Sequence, residues 1–522
     1  MKAATLRTFI SVHTWVGLIA GFGLFIAFYA GAVTLFHEEL HAWETPLPQV
    51  AQQDTPQHAP QQLIDAVLQQ HPKARDAFYV RLPSGFAPQM VLEFDERHFR
   101  LDASGKLEEF QERSQLVDFI YRLHYTAGLP RSWGIYVLGV ICILYGLALA
   151  SGVIIYAPTF FKDLFALRIG KNIKRMWQDA HNAIGMLSLP FHLMYAWSSA
   201  ILALGLILLA PFQYLIFDGK LLQLVGPDIS AAAPPKASGV AAPLAPASQL
   251  IAEVQRAAPG IEVETLSYRH AGDASAQVQV YGHMHQKTVA DMGAVVLNAS
   301  SGKIERVVTP ENFSPGTRFL RSLQALHFGS FGGLAVRWMY FVLGVAGAFL
   351  FYSGNLLWIE ARRKRQQQVQ PRSGKLMAQA TLGVCLGCVA GVSAVFLANK
   401  LAPAGQLPLW EARSYYAMFF ACVLWAFARP PARAAHELLK LCAVLTLAVP
   451  LAHWWSSGVN PLLALLSGDG VVVGVALVSL LFAVGYWKMA RAVLQRGRHG
   501  DPHSVWALRA PSSAQQKMPQ AA

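Results

Sequence analysis

Apolar runs long enough to cross a bilayer recur eight times along the chain, near residues 12–36, 133–156, 183–210, 334–358, 376–400, 414–428, 436–455 and 470–488, the sixth being short. A helix of about 20 apolar residues satisfies its own backbone polar groups, as hydrocarbon demands. Two long polar stretches, 37–130 and 211–330, interrupt the first four runs, whereas the last four follow closely. The first apolar run exceeds a secretory h-region and no A-x-A-like site follows it, so it reads as an uncleaved signal anchor.

Of the 522 residues, 54% are hydrophobic and 14% charged, which argues against a water-soluble enzyme. Forty-three Lys and Arg against 30 Asp and Glu give a net charge of +13, and its placement decides between nucleic acid and membrane. Lys162, Arg168, Lys171, Lys174 and Arg175 follow span two; Arg362, Arg363, Lys364, Arg365, Arg372 and Lys375 follow span four. Lys488, Arg491, Arg496 and Arg498 follow span eight, and Lys2 and Arg7 precede span one. With eight alternating spans all of these share one side, cytoplasmic by the positive-inside rule, with both termini inside and no role for nucleic acid. The expected organisation is span one (1–36), an exported stretch (37–130), spans two and three around a basic loop (131–210), and a linker with a second exported stretch (211–330). Span four with its basic loop (331–365), spans five to eight (366–490) and a cytoplasmic tail (491–522) complete it.

The chain carries an internal duplication. Phe9 to Gly17, with His13, aligns with Trp177 to Gly185, with His181. Leu123-His124-Tyr125 aligns with Leu326-His327-Phe328, and both continue through Trp133 or Trp338, Val-Leu-Gly, and Ser151-Gly152 or Ser353-Gly354. The exported stretches repeat too. Residues 59–71 and 246–258 read as amphipathic helices with a nearby proline. Alternating strands then end in hairpins written Asp102-Ala-Ser-Gly105 and Asn298-Ala-Ser-Ser-Gly302. Residues 230–247, rich in Ala, Pro and Ser, read as a linker.

Spans headed by His-x-x-x-Gly, helix-plus-sheet modules between them, and His181 followed by Leu189-Pro190-Phe191-His192 resemble the PepSY-associated transmembrane family over about residues 5–365. The resemblance implies an α-helical membrane protein of about eight spans, with a haem-binding four-helix core built from two repeats. It also implies two small periplasmic α+β PepSY-like modules, in the inner membrane of a bacterium. Members include haem-containing reductases that act on siderophore-held iron. The chain departs from the family where the usual Thr-Gly late in spans one and three is replaced by Ala30-Gly31 and Ser198-Ser199.

Ionisable side chains at membrane depth are costly and mark function. A lone histidine there can be merely an interfacial polar residue; four at repeat-equivalent positions favour cofactor ligation. Imidazole is a standard haem ligand, and facing helices of a bundle can bring two to one iron. The expected pairs are His13 with His181 and His124 with His327, holding two b-type haems, one per leaflet. Gly17, Gly128 and Gly185, four residues on, would clear space for a macrocycle; the fourth copy lacks that spacing. His192 is a fifth candidate, replacing or supplementing His124 or His327 although its repeat mate is Leu24. Arg122, Arg131, Arg318, Arg321 and Arg337, or Arg7, Lys174 and Arg175, could meet haem propionates or simply anchor the interface. His37 and His41 read as solvated, as do His283 and His285, and Cys385 and Cys388 as inert packing residues.

Absence of a nucleotide-binding glycine motif excludes NADH bound in the usual way. The resemblance therefore implies a transmembrane ferric-siderophore reductase, an oxidoreductase drawing electrons from quinol or a separate cytoplasmic donor. Two readings from other classes stay open: a membrane-anchored PepSY binding or regulatory protein, and a permease. Spans five to eight, with only His436 and His453 as notable polar residues, have no assigned role.

Overall fold

The computed structural model describes residues 3–44, 59–85, 87, 89–110, 114–160, 168, 172–233, 235–285, 288–363 and 370–508. Lys2, Lys162, Lys171, Lys364, Arg365 and the end of the tail lie outside them. Two compact units result: Met1–Glu44 with Arg113–Leu204 and Trp338–Ala522, and Thr45–Glu112 with Gly205–Arg337.

The first unit is helical. Its chain order is α1 (Ala3–Thr34), α2 (His37–Glu44), α3 (Leu116–Thr126), α4 (Arg131–Tyr156), α5 (Ile173–Leu187), α6 (from Leu189), α7 (to Ala361), α8 (Arg372–Leu401), α9 (Leu407–Ala428), α10 (Pro431–Ser457) and α11 (Gly470–His499). Seven helices among the described residues are long and apolar enough to cross a membrane. The eighth expected span is α9, which forms but carries Glu411 and Arg413 in its first half and is not among the seven. Large apolar side chains such as Ile19, Val140, Leu424 and Leu481 are exposed, as lipid contact requires.

Small residues set the closest helix approaches. Gly383, Gly387 and Gly391 form a stripe on α8, and a Cβ on them would come within 2.9 Å of Val423 Cα, 3.1 Å of Phe419 O and 2.8 Å of Tyr415 Cδ2. That small-xxx-small stripe lets α9 lie against α8. A π-helical turn at Leu382–Leu386 interrupts α8 beside it. All five cysteines are buried and free, Cys385 and Cys388 included.

The second unit gathers the strands of both exported stretches into one sheet. Strands β1 (Ala77–Arg81), β2 (Val91–Phe94), β3 (Arg97–Leu101) and β4 (Leu107–Phe110) come from the first exported stretch. Strands β5 (Glu262–Arg269), β6 (Gln277–His283), β7 (Met292–Asn298) and β8 (Ile304–Val308) come from the second. All eight form one antiparallel sheet, ordered β4-β3-β2-β1-β5-β6-β7-β8. The repeats meet edge to edge through β1 and β5, where Phe78 lies opposite Tyr268, their rings stacked at 4.7 Å. Helices Pro60–Gln70 and Ala247–Ala257 contribute Leu63, Ile64, Val67, Leu250 and Val254 to a single apolar core with the strands.

Joining the sheets removes one exposed edge from each repeat, the feature most prone to aberrant pairing. The expected turns form as the chemistry dictates: Gly105 and Gly302 have φ of +82° and +72°. In each, Asp102 or Asn298 Oδ1 accepts backbone N–H bonds from the turn. Residues 230–247 are not a free linker. Ala231 and Ala245 are buried, and Asp273 accepts bonds from Ser238 and Gly239.

Candidate functional site

His13, on α1, is held by α4: its Nδ1 lies 2.9 Å from Ala148 O and 3.4 Å from Ser151 Oγ. His181, on α5, is held by α7 in the same way, Nδ1 lying 3.1 Å from Leu350 O and 3.2 Å from Ser353 Oγ. Each ring also lies over the next residue of the partner helix. A Cβ on Gly152 would meet His13 Cε1 at 3.1 Å, and one on Gly354 would meet His181 Cε1 at 3.4 Å. The repeated Ser-Gly pair is thus a seat for the repeated histidine. It fixes the tautomer, Nδ1–H donating to a carbonyl, and leaves Nε2 as the unprotonated nitrogen.

The two rings meet edge to face, with centroids 6.2 Å apart and planes at 84°. Two imidazoles that share one metal, at ~2 Å per bond and ~1.15 Å from nitrogen to ring centre, have centroids up to ~6.3 Å apart. The glycines one turn along from them are uncrowded. Nothing lies within 4 Å of a Cβ placed on Gly17, and only Leu350 Cδ1, at 3.6 Å, approaches one on Gly185. These residues therefore fit a haem held by His13 and His181.

Gly128 corrects the reading given for its motif. It has φ +81° and follows Ala127, also left-handed, so it ends α3 rather than lying on a helical face. The glycine beside His124 is instead Gly31 of α1, where a Cβ would come within 2.6 Å of Nδ1. His124 Nδ1 contacts Ala27 O at 2.8 Å, and burial pushes its imidazole below the usual histidine range. Fourteen residues separate His13 from Ala27, about 21 Å of helical rise. His327 is buried in the second unit, near the end of helix Pro315–Phe328.

His192 does not continue the helix of His181. The chain breaks at Ser188, before Pro190, so α5 and α6 are separate and their faces are not related by simple rise. His192 is fully buried among Phe28, Phe191 and Tyr145. Its Nδ1 lies 2.5 Å from Tyr145 Oη, and its Nε2 is buried without a partner among the described residues. An orphaned imidazole nitrogen fits a ligand role, and no sequence signal pointed to Tyr145.

Sequence reading also missed a buried polar network. Glu411, Asn399, Ser114 and Glu44 are all buried. Ser114 Oγ lies 2.6 Å from Glu411 Oε1 and 2.8 Å from Glu44 Oε2, while Asn399 Nδ2 donates to Glu411 at 2.9 Å. Lys400 Nζ donates to the carbonyls of Trp43 and Glu44 at 2.6 and 3.1 Å. Spans five to eight are therefore not devoid of buried acidic chemistry. In the second unit, His283 pairs with Asp291 at 3.1 Å and His285 with Glu262, consistent with polar surface roles.

The family model described as the PepSY-associated TM region matches residues 10–361. The chain is also similar to a Pseudomonas aeruginosa protein described as uncharacterized protein PA4219, with 27% identity over 399 residues, covering 72% of this chain and 95% of that protein. The duplicated spans and the matched range agree, and the chain belongs to the family of the PepSY-associated TM region.

Proposed function

We propose that this membrane protein is a transmembrane electron conduit that reduces ferric iron, held by a siderophore, at the periplasmic face of a bacterial inner membrane. Two b-type haems would serve as its cofactors. The observation that carries the reading is the approach of the His13 and His181 rings, 6.2 Å between centroids, each held through Nδ1 by a repeated serine and carbonyl. A second haem would be held by His124, with His192 as a further candidate ligand. When bound, haem supplies a one-electron couple whose potential the axial ligands and burial tune. The histidines hold their ring orientation through Nδ1. Electrons would arrive from quinol or a separate cytoplasmic donor, with both termini cytoplasmic.

The visible spectrum of detergent-solubilised protein from haem-replete cells tests this. A reducible b-type signal is expected, with the same component lost in His13→Ala and His181→Ala and a different one lost in His124→Ala. A colourless preparation, or one whose spectrum survives all these substitutions, overturns the proposal and leaves an anchored binding protein or a permease.

A further inference from the structure

We infer that His37, His41 and Asp118 form a binding site for a divalent first-row transition-metal ion, separate from the histidines of the helical core. His37 and His41 lie one turn apart on α2, and their rings approach at 4.5 Å between centroids. Asp118 comes from the first turn of α3. Its Oδ1 lies 3.6 Å from His37 Nε2 and 3.8 Å from His41 Nε2, and one donor atom from each residue lies within 4.8 Å of the other two.

These spacings exceed good hydrogen bonds, which fall near 2.7–3.2 Å. They are close to what a shared ion needs. Donors at ~2.1 Å from a tetrahedral metal are ~3.4 Å apart, so the two pairs that include Asp118 have to close by only a few tenths of an ångström. Two imidazoles and one carboxylate suit Zn²⁺ or Fe²⁺ better than Ca²⁺ or Mg²⁺, which prefer all-oxygen shells.

The supporting shell is built as metal sites require. His41 Nδ1 bonds the Glu44 carboxylate, which leaves Nε2 as its ligating nitrogen. Glu44 is buried, and its other oxygen accepts from Ser114 Oγ at 2.8 Å and Val117 N at 3.1 Å. The inference does not rest on the haem reading, because none of these residues is among the proposed haem ligands.

The test is equilibrium dialysis of the full chain in detergent against Zn²⁺, and anaerobically against Fe²⁺, followed by elemental analysis. One zinc per chain is expected, lost in His37→Ala and in Asp118→Asn, and bound 10- to 100-fold more weakly in Glu44→Gln. Zinc is expected to be retained in His13→Ala, which tests the haem reading instead, and in His283→Ala, which removes the other histidine cluster. Thermal unfolding of His37→Ala, whose side chain is 40% exposed, confirms that the fold persists. Less than one zinc in the parent protein, or full affinity in both His37→Ala and Asp118→Asn, overturns the inference.

Discussion

Gly17 offers a perturbation whose effect has opposite signs in the polypeptide and in its proposed complex. A Cβ at this position meets nothing within 4 Å, so Gly17→Leu adds a side chain to open space. Glycine in a helix interior costs about 0.8–1 kcal/mol relative to alanine, and leucine is nearly as good a helix former. The haem-free protein is therefore expected to be unchanged or stabilised by up to about 1 kcal/mol. If a macrocycle lies between His13 and His181, whose centroids are 6.2 Å apart, the leucine occupies part of its volume. Overpacking of this kind costs about 1–3 kcal/mol, a loss of roughly 5- to 150-fold in haem affinity. The assay is haem per chain by pyridine haemochrome, alongside thermal unfolding of haem-depleted protein. One haem fewer with an undiminished unfolding midpoint is expected. A full haem complement at limiting haem would refute the placement of the group beside Gly17.

Gly31→Ala drives a methyl to 2.6 Å from His124 Nδ1. It should cost about 2–4 kcal/mol, from overpacking and the lost bond to Ala27, and disturb only the spectral component assigned to His124. Glu411→Ala leaves the Gln115 amide without its acceptor and takes one acceptor each from Ser114 and Asn399. A loss of about 2–4 kcal/mol is expected, read as a lower unfolding midpoint, with Glu411→Gln milder. Asp118 has a depressed folded pKa, so its stabilisation is present above the ordinary carboxylate range and lost as pH falls through the lowered value. Asp118→Asn should flatten that part of the acid-unfolding profile, measured by intrinsic fluorescence.

Much of the helical architecture was legible in sequence because the bilayer imposes a length and a hydropathy on every span. The duplicated histidines were legible because gene repetition places like residues at like positions. The Ser-Gly pairs at 151–152 and 353–354 were visible as repeat markers, but their task was not, since the histidines they seat are 138 and 172 residues away in the chain. The kink at Ser188–Pro190 was written in the proline, yet its effect on His192 depends on how α5 and α6 pack.

By itself, then, the sequence determined seven of the eight expected spans, the basic loops, the turns at Gly105 and Gly302 and the set of candidate haem ligands. These follow from local chemistry: backbone solvation, side-chain charge and permitted φ. Tertiary structure alone decided that two modules share one eight-stranded sheet, because edge strands pair by backbone hydrogen bonds that carry little side-chain code. It alone decided which nitrogen of His13 and His181 is free to ligate, because tautomer is set by contacts from distant helices. The grouping of His37, His41 and Asp118 likewise needed α2 folded against α3, a long-range contact that no local pattern encodes.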